Sequence, residues 1–171
     1  MTQATPRQRW ALFCITKQDY RDVDITSEEA SRIISQEKEK LQTRDSHFAS
    51  VWTDAMAEGL VAGVSAQPTP MIVEQHTDQM DDSSPVAKSW YVPNGVCGFA
   101  WVSIGPANHP FCRWLKKNGC ARNAYGGGLY IWIREHGQSY ERKLAHAEAM
   151  AQVISQKIDG LKYCHAAGKL D

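Results

Sequence analysis

The chain has 171 residues, 43% of them hydrophobic and 22% charged, with basic and acidic side chains equal in number. That apolar share, with six tryptophans, excludes a disordered polymer, and the length supports one full core or a core with a small appendage. No run of about 18 apolar residues occurs, so no membrane-spanning helix is expected.

The zero net charge hides a gradient. Residues 43–90 carry two basic and seven acidic side chains, whereas residues 91–171 carry ten basic and five acidic ones. A basic half of this size suits an anionic partner, and equally suits docking onto the chain's own acidic segment. The stretch Met1–Arg9 is polar and has no apolar signal region. Five cysteines (Cys14, Cys97, Cys112, Cys120 and Cys164) show no CxxC spacing, as expected of reduced thiols in a cytoplasm.

Taken in chain order, Thr5-Pro6 predicts a capped helix over Arg7–Thr16. Thr26-Ser27-Glu28-Glu29 reads as a capping box opening an amphipathic helix to about Leu41. A third helix is expected from Ser46 to about Val61, with Phe48, Val51, Trp52, Ala55, Met56 and Leu60 on one face. Pro68-Thr69-Pro70 ends it, and Met71–Val73 reads as a short strand. Residues 74–88 read as a mobile acidic loop. Trp90–Val92 is extended, and Pro93-Asn94-Gly95 is a turn.

Val96–Ile104 then reads as a central strand, apolar on both alternating faces. Asn108 or His109 caps a helix over Pro110–Asn118. Leu129–Ile133 is a second strand, and Gln138-Ser139 opens a helix to about Ile158. Leu161–His165 is a last strand, followed by a tail. The expected architecture is α+β: a two-helix module over residues 1–42, then an α+β domain over 43–171. Its sheet is expected in strand-helix-strand-helix-strand order, packed with the N-terminal helices.

The run Gly98-Phe99-Ala100-Trp101-Val102 resembles the aromatic strand of RNA-recognition motifs. Cys97 stands where that pattern has a basic residue, and Ile104 where it has its final aromatic. Tyr130 and Trp132 add two rings on one face of the next strand. That motif needs a strand and a long helix upstream, which residues 76–88 do not supply. The rings are therefore read as core, buried against Trp10, Phe13, Phe48 and Trp52.

The candidate ligand residues are cations and loops instead. The helix start at Gln138-Ser139, with Arg142 and Lys143 in its first two turns, offers N–H groups and positive charge to a phosphate or carboxylate. Arg113, Lys116, Lys117 and Arg122 extend that surface, and Tyr125 with Gly126 and Gly127 forms a close-approach loop. His109, Cys112 and Cys120, with Cys97 or His165, match no zinc spacing. No nucleophile elbow or paired-acid motif selects catalytic residues, and no cofactor or metal is expected. His146, in the middle of a predicted helix, reads as a surface or interface residue.

Gly95–Val102, Pro106-Ala107-Asn108, Arg113–Lys117, Tyr125-Gly126-Gly127, Gln138-Ser139, Arg142-Lys143 and Leu170-Asp171 together resemble a group of uncharacterised proteins of tailed bacteriophages. With Pro68–Val73, the similarity covers about residues 48–171. This chain has Gly168-Lys169 where that group has Ser-Arg. Residues 5–34 resemble small two-helix modules of the SAP and LEM class, with Ile25 in place of a leucine. The resemblance implies a phage or prophage protein in the cytoplasm of an infected bacterium. Three functions are expected, in this order: non-enzymatic binding of nucleic acid or a phosphate-bearing ligand by the basic C-terminal half; binding of a host bacterial protein, through residues 74–82 and Trp90, by an inhibitor directed at the host; and a small enzyme without a readable motif.

Overall fold

The computed structural model describes residues 2–171; Met1, where the expected N-terminal module begins, lies outside them. In chain order the elements are α1 (Pro6–Thr16), α2 (Ser27–Ser65), β1 (Met71–His76), β2 (Val86–Val92) and β3 (Gly98–Gly105). There follow α3 (Pro110–Lys117), β4 (Arg122–Asn123), β5 (Leu129–Trp132), α4 (Tyr140–Lys157) and β6 (Tyr163–Leu170). The protein is α+β, with two small antiparallel sheets. It divides into two compact units, one reaching to Ala49 and the other spanning Ser50–Asp171. Among the described residues no helix is long and apolar enough to cross a membrane.

In the first unit, local chemistry sets the helix starts. The Gln8 N–H donates to Thr5 Oγ1 (3.2 Å) and the Thr5 N–H to Gln8 Oε1 (2.9 Å), a reciprocal cap in front of Pro6. The Glu29 N–H donates to Thr26 Oγ1 (3.2 Å) at the start of α2. Ala4, Leu12, Ile25 and Ala30 form a small core. The Arg9 guanidinium donates to the carbonyls of Ala4 and Val23, tying the turn after α1 to the helix.

The two helices expected on either side of residues 42–46 are one continuous helix. No glycine or proline interrupts residues 27–58. The Thr43 hydroxyl donates back to the Glu39 carbonyl (3.0 Å) instead of capping a new start. Helix α2 thus runs through residues 42 and 43, where the sequence places a domain boundary. Residues 74–88 begin inside β1 and end inside β2, which pair as a hairpin (Ile72↔Tyr91, Val73↔Trp90). The expected tail is also a strand, because β6 pairs with β3 as far as Gly98↔Leu170.

The second unit is built on the sheet β4-β5-β3-β6, with β3 interior. From β3 onward the chain order is β-α-β-β-α-β, the split β-α-β arrangement. Strand alternation sends Ala100, Val102 and Ile104 to one face, all fully buried. Phe111, Cys112 and Leu115 of α3 and Ala147, Met150 and Ile154 of α4 are fully buried as well. Each large side chain withdrawn from water there contributes about 1.5–3 kcal/mol, so this face holds the unit together. Gly98 and Gly168 leave room for the Tyr140 ring, since a Cβ at either position would overlap it.

Candidate functional site

The opposite face of the sheet is the open one. The pairs Trp101↔Trp132 and Trp101↔Ala167, Ser103↔Tyr130 and Ser103↔His165, Phe99↔Lys169 and Arg122↔Tyr130 place these residues side by side on it. Trp101 lies 4.9 Å from the Trp132 ring and 5.6 Å from Tyr130, and Tyr130 meets Trp132 edge-on at 6.3 Å. Phe99 keeps 44% of its surface exposed and Trp132 42%. The expectation that this face is buried core is therefore overturned for Phe99 and Trp132, whereas Trp101 and Tyr130 are half-buried and Ser103 is buried. The rings shield one another laterally, and the sheet satisfies its packing requirement from one side only. The Trp101 indole N–H is buried among them with no acceptor among the described residues.

Arg122 and Lys169 are exposed on this face, and none of its register positions is acidic. Of the sequence-predicted residues, Arg122 therefore joins the rings. Tyr125, 99% exposed, sits in the turn between β4 and β5. Gly126 and Gly127 follow it at φ 130° and 106°, values that favour glycine. Tyr163 Oη donates to the Gly127 carbonyl (3.3 Å), holding the turn at the end of the sheet. Arg113, Lys116 and Lys117 are exposed on α3, in the helical layer, and do not share the ring face.

The start of α4 is arranged differently from its sequence reading. The Tyr140 N–H donates to the Val96 carbonyl, and the Gln138 carbonyl accepts from Gly98. Glu141 Oε2 accepts from the Thr69 N–H (2.6 Å). Ser139 is buried, and neither its hydroxyl nor Arg142 Nε has a partner among the described residues. Lys143 is buried: its ammonium donates to the Gly98 carbonyl (2.9 Å) and lies 5.4 Å from the Phe99 ring centre. It supports the start of β3 rather than facing solvent.

His146 is fully buried, not a surface residue. His136 Nε2 and His146 Nδ1 are 2.9 Å apart, so one ring donates to the other. The reason lies on α2: a Cβ at Gly59 would overlap the His146 ring, and one at Gly63 the His136 ring. The Gly59-x-x-x-Gly63 spacing puts both gaps on one helix face. Burial lowers both imidazoles below their ordinary value of 6.5, with Glu135 opposing the shift and Arg142 and Lys143 adding to it at His136. Burial also pushes the Cys112 thiol up to about 11, which makes it a poor nucleophile. Among the described residues no three His, Cys, Asp or Glu side chains converge as metal ligands.

Sequence reasoning missed β6 as a contributor of Tyr163, His165 and Lys169 to the ring face. The usable signal was the alternation of Tyr163, His165 and Ala167. No protein-family model, curated protein or solved structure matches the chain.

Proposed function

We propose that this chain is a phage accessory protein that binds single-stranded nucleic acid on the open face of its C-terminal sheet. The observation that supports this reading is the set of rings of Phe99, Trp101, Tyr130 and Trp132, in register with Arg122 and Lys169 and with no carboxylate among them. Exposed rings stack bases irrespective of sequence, at about 1–3 kcal/mol per base. The two cations meet phosphates, and by fold-level analogy a sheet with rings on its interior strands is how RNA-recognition motifs hold two or three bases. A duplex keeps its bases stacked on one another, so single strands fit this face better. The phage setting rests on the sequence resemblance. A gel-shift series with single-stranded and duplex oligonucleotides at rising salt tests the reading. Single strands should bind more tightly and weaken with salt; no shift at low salt would overturn it.

A second reading has its own observation. The β1–β2 hairpin exposes Ile72, Val73, Trp90 and Tyr91, more apolar surface than a two-stranded ribbon normally leaves uncovered. A host protein covering it would explain that surface. A pull-down from bacterial lysate should then recover a stoichiometric partner that is lost on Trp90→Lys; equal recovery by both proteins argues against it.

A further inference from the structure

A cavity of about 190 Å³ opens at the outer edge of β5, lined among others by Trp52, Met56, Arg122, Trp132, Arg134 and Glu135. Its lining takes Ile131 and Ile133 from the covered side of the sheet and Tyr130 and Trp132 from the open side. It therefore borders the strand that carries Tyr130 and Trp132. The cause is the shortness of β4, which pairs with β5 only at Arg122↔Tyr130 and Asn123↔Leu129. The Ile133 N–H donates to the Ala100 carbonyl (3.0 Å). Strand alternation then turns the Trp132 N–H and C=O away from β3, toward the gap that β4 leaves.

The chemistry of this edge is specific. Arg122 and Arg134 are exposed, and neither has a carboxylate partner among the described residues. The Arg134 N–H donates to Glu135 Oε2 (2.9 Å), which fixes the carboxylate and leaves its other oxygen as an acceptor. The volume is below the roughly 300–1,000 Å³ of sites for drug-sized ligands, so the space suits one heteroaromatic ring and not a larger molecule.

We infer that this edge cavity takes a single nucleobase carrying an exocyclic amino group, with its phosphate on Arg122 and Arg134 and its amino group donating to Glu135. The inference rests on the nucleic-acid reading of the ring face and gives it a base preference. Cytosine, adenine and guanine each present amino hydrogens that a carboxylate accepts. Uracil and thymine flank their one N–H with two carbonyl oxygens, which a carboxylate repels.

Calorimetric titration of the full chain with CMP and with UMP tests this. CMP should bind about tenfold more tightly, the worth of one hydrogen bond to a charged group. Glu135→Gln, whose amide oxygen still accepts from the Arg134 N–H, should erase the difference without moving the melting temperature. Met56→Trp, which fills the space, should weaken CMP binding. Equal affinities in the native protein, or an unchanged CMP preference in Glu135→Gln, would overturn the inference. An oligouridylate titration separates the two readings, since it engages the rings without Glu135. Oligouridylate binding without CMP preference removes the cavity and keeps the face; CMP preference without oligouridylate binding does the reverse.

Discussion

The two faces of the C-terminal sheet come from the same alternating residues and end in opposite environments. On one, Ala100, Val102 and Ile104 are fully buried. On the other, one residue out of step, Phe99 and Trp132 remain close to half exposed. A protein stabilised by both faces would hide its largest rings first, because they bury the most area. Here aliphatic side chains carry the packing, and the rings of Phe99 and Trp132 are left at the surface. The lesson is that aromatic content in a strand reports available contact area and not the side on which it is used.

Substitution on each face is the largest test of this contrast. Ile104→Ala should cost about 2–5 kcal/mol, as a cavity in a closed core does. Phe99→Ala, already partly solvated, should cost under about 1.5 kcal/mol. Urea midpoints for the two variants measure both, and equal losses would break the comparison. The helical side can be probed further at α2. Gly63→Ala places a methyl group in the His136 ring and should cost about 1–3 kcal/mol by overpacking, whereas Gly137→Ala, with open space around its Cβ, is strained only by its backbone at φ 60° and should cost less.

The imidazole pair gives the covered side a pH dependence. Both rings hold folded-state values below 6.5, so below that pH the unfolded chain binds more protons than the native one. Stability is then complete above about pH 6.5 and falls as the pH drops through the window beneath it. Urea midpoints between pH 5 and 8 should show this slope, and His136→Gln should flatten it. The smallest expected effect is electrostatic. Replacing Arg122 or Lys169 by alanine should reduce the slope of log affinity against log salt for a single strand by about 0.7 each, and Lys143→Ala, whose ammonium is occupied by Gly98, should lower stability more than that slope.

Much of the local structure was legible because it is written in neighbouring residues. Thr5-Pro6 with Gln8, Thr26 with Glu29, and His109-Pro110 mark helix starts that the hydrogen bonds reproduce. The unbroken α2 was less legible, since the polar run ahead of Phe48 reads as the start of a new helix at Ser46. The second half of β6, read as a tail, was hidden for a different reason. Ala166-Ala167-Gly168 has weak strand propensity, and its pairing is imposed by β3, more than sixty residues away. The same distance effect concealed the site. Alternation showed that Phe99 and Trp101 share a face, but only the position of α3 and α4 decides which face is covered. The contact between His136 and His146 depends on Gly59 and Gly63, far upstream, and their four-residue spacing was its one trace in the sequence.

The central claim is that the exposed rings bind single strands while contributing little to folding. Fluorescence anisotropy of a labelled single-stranded oligonucleotide, titrated with the native chain and with the Phe99→Ala/Trp132→Ala double variant, tests it most directly. Loss of two stacking rings should weaken binding by at least about tenfold with the urea midpoint nearly unchanged. Equal affinity of the two proteins, or a double variant that loses binding only because it unfolds, would contradict the account.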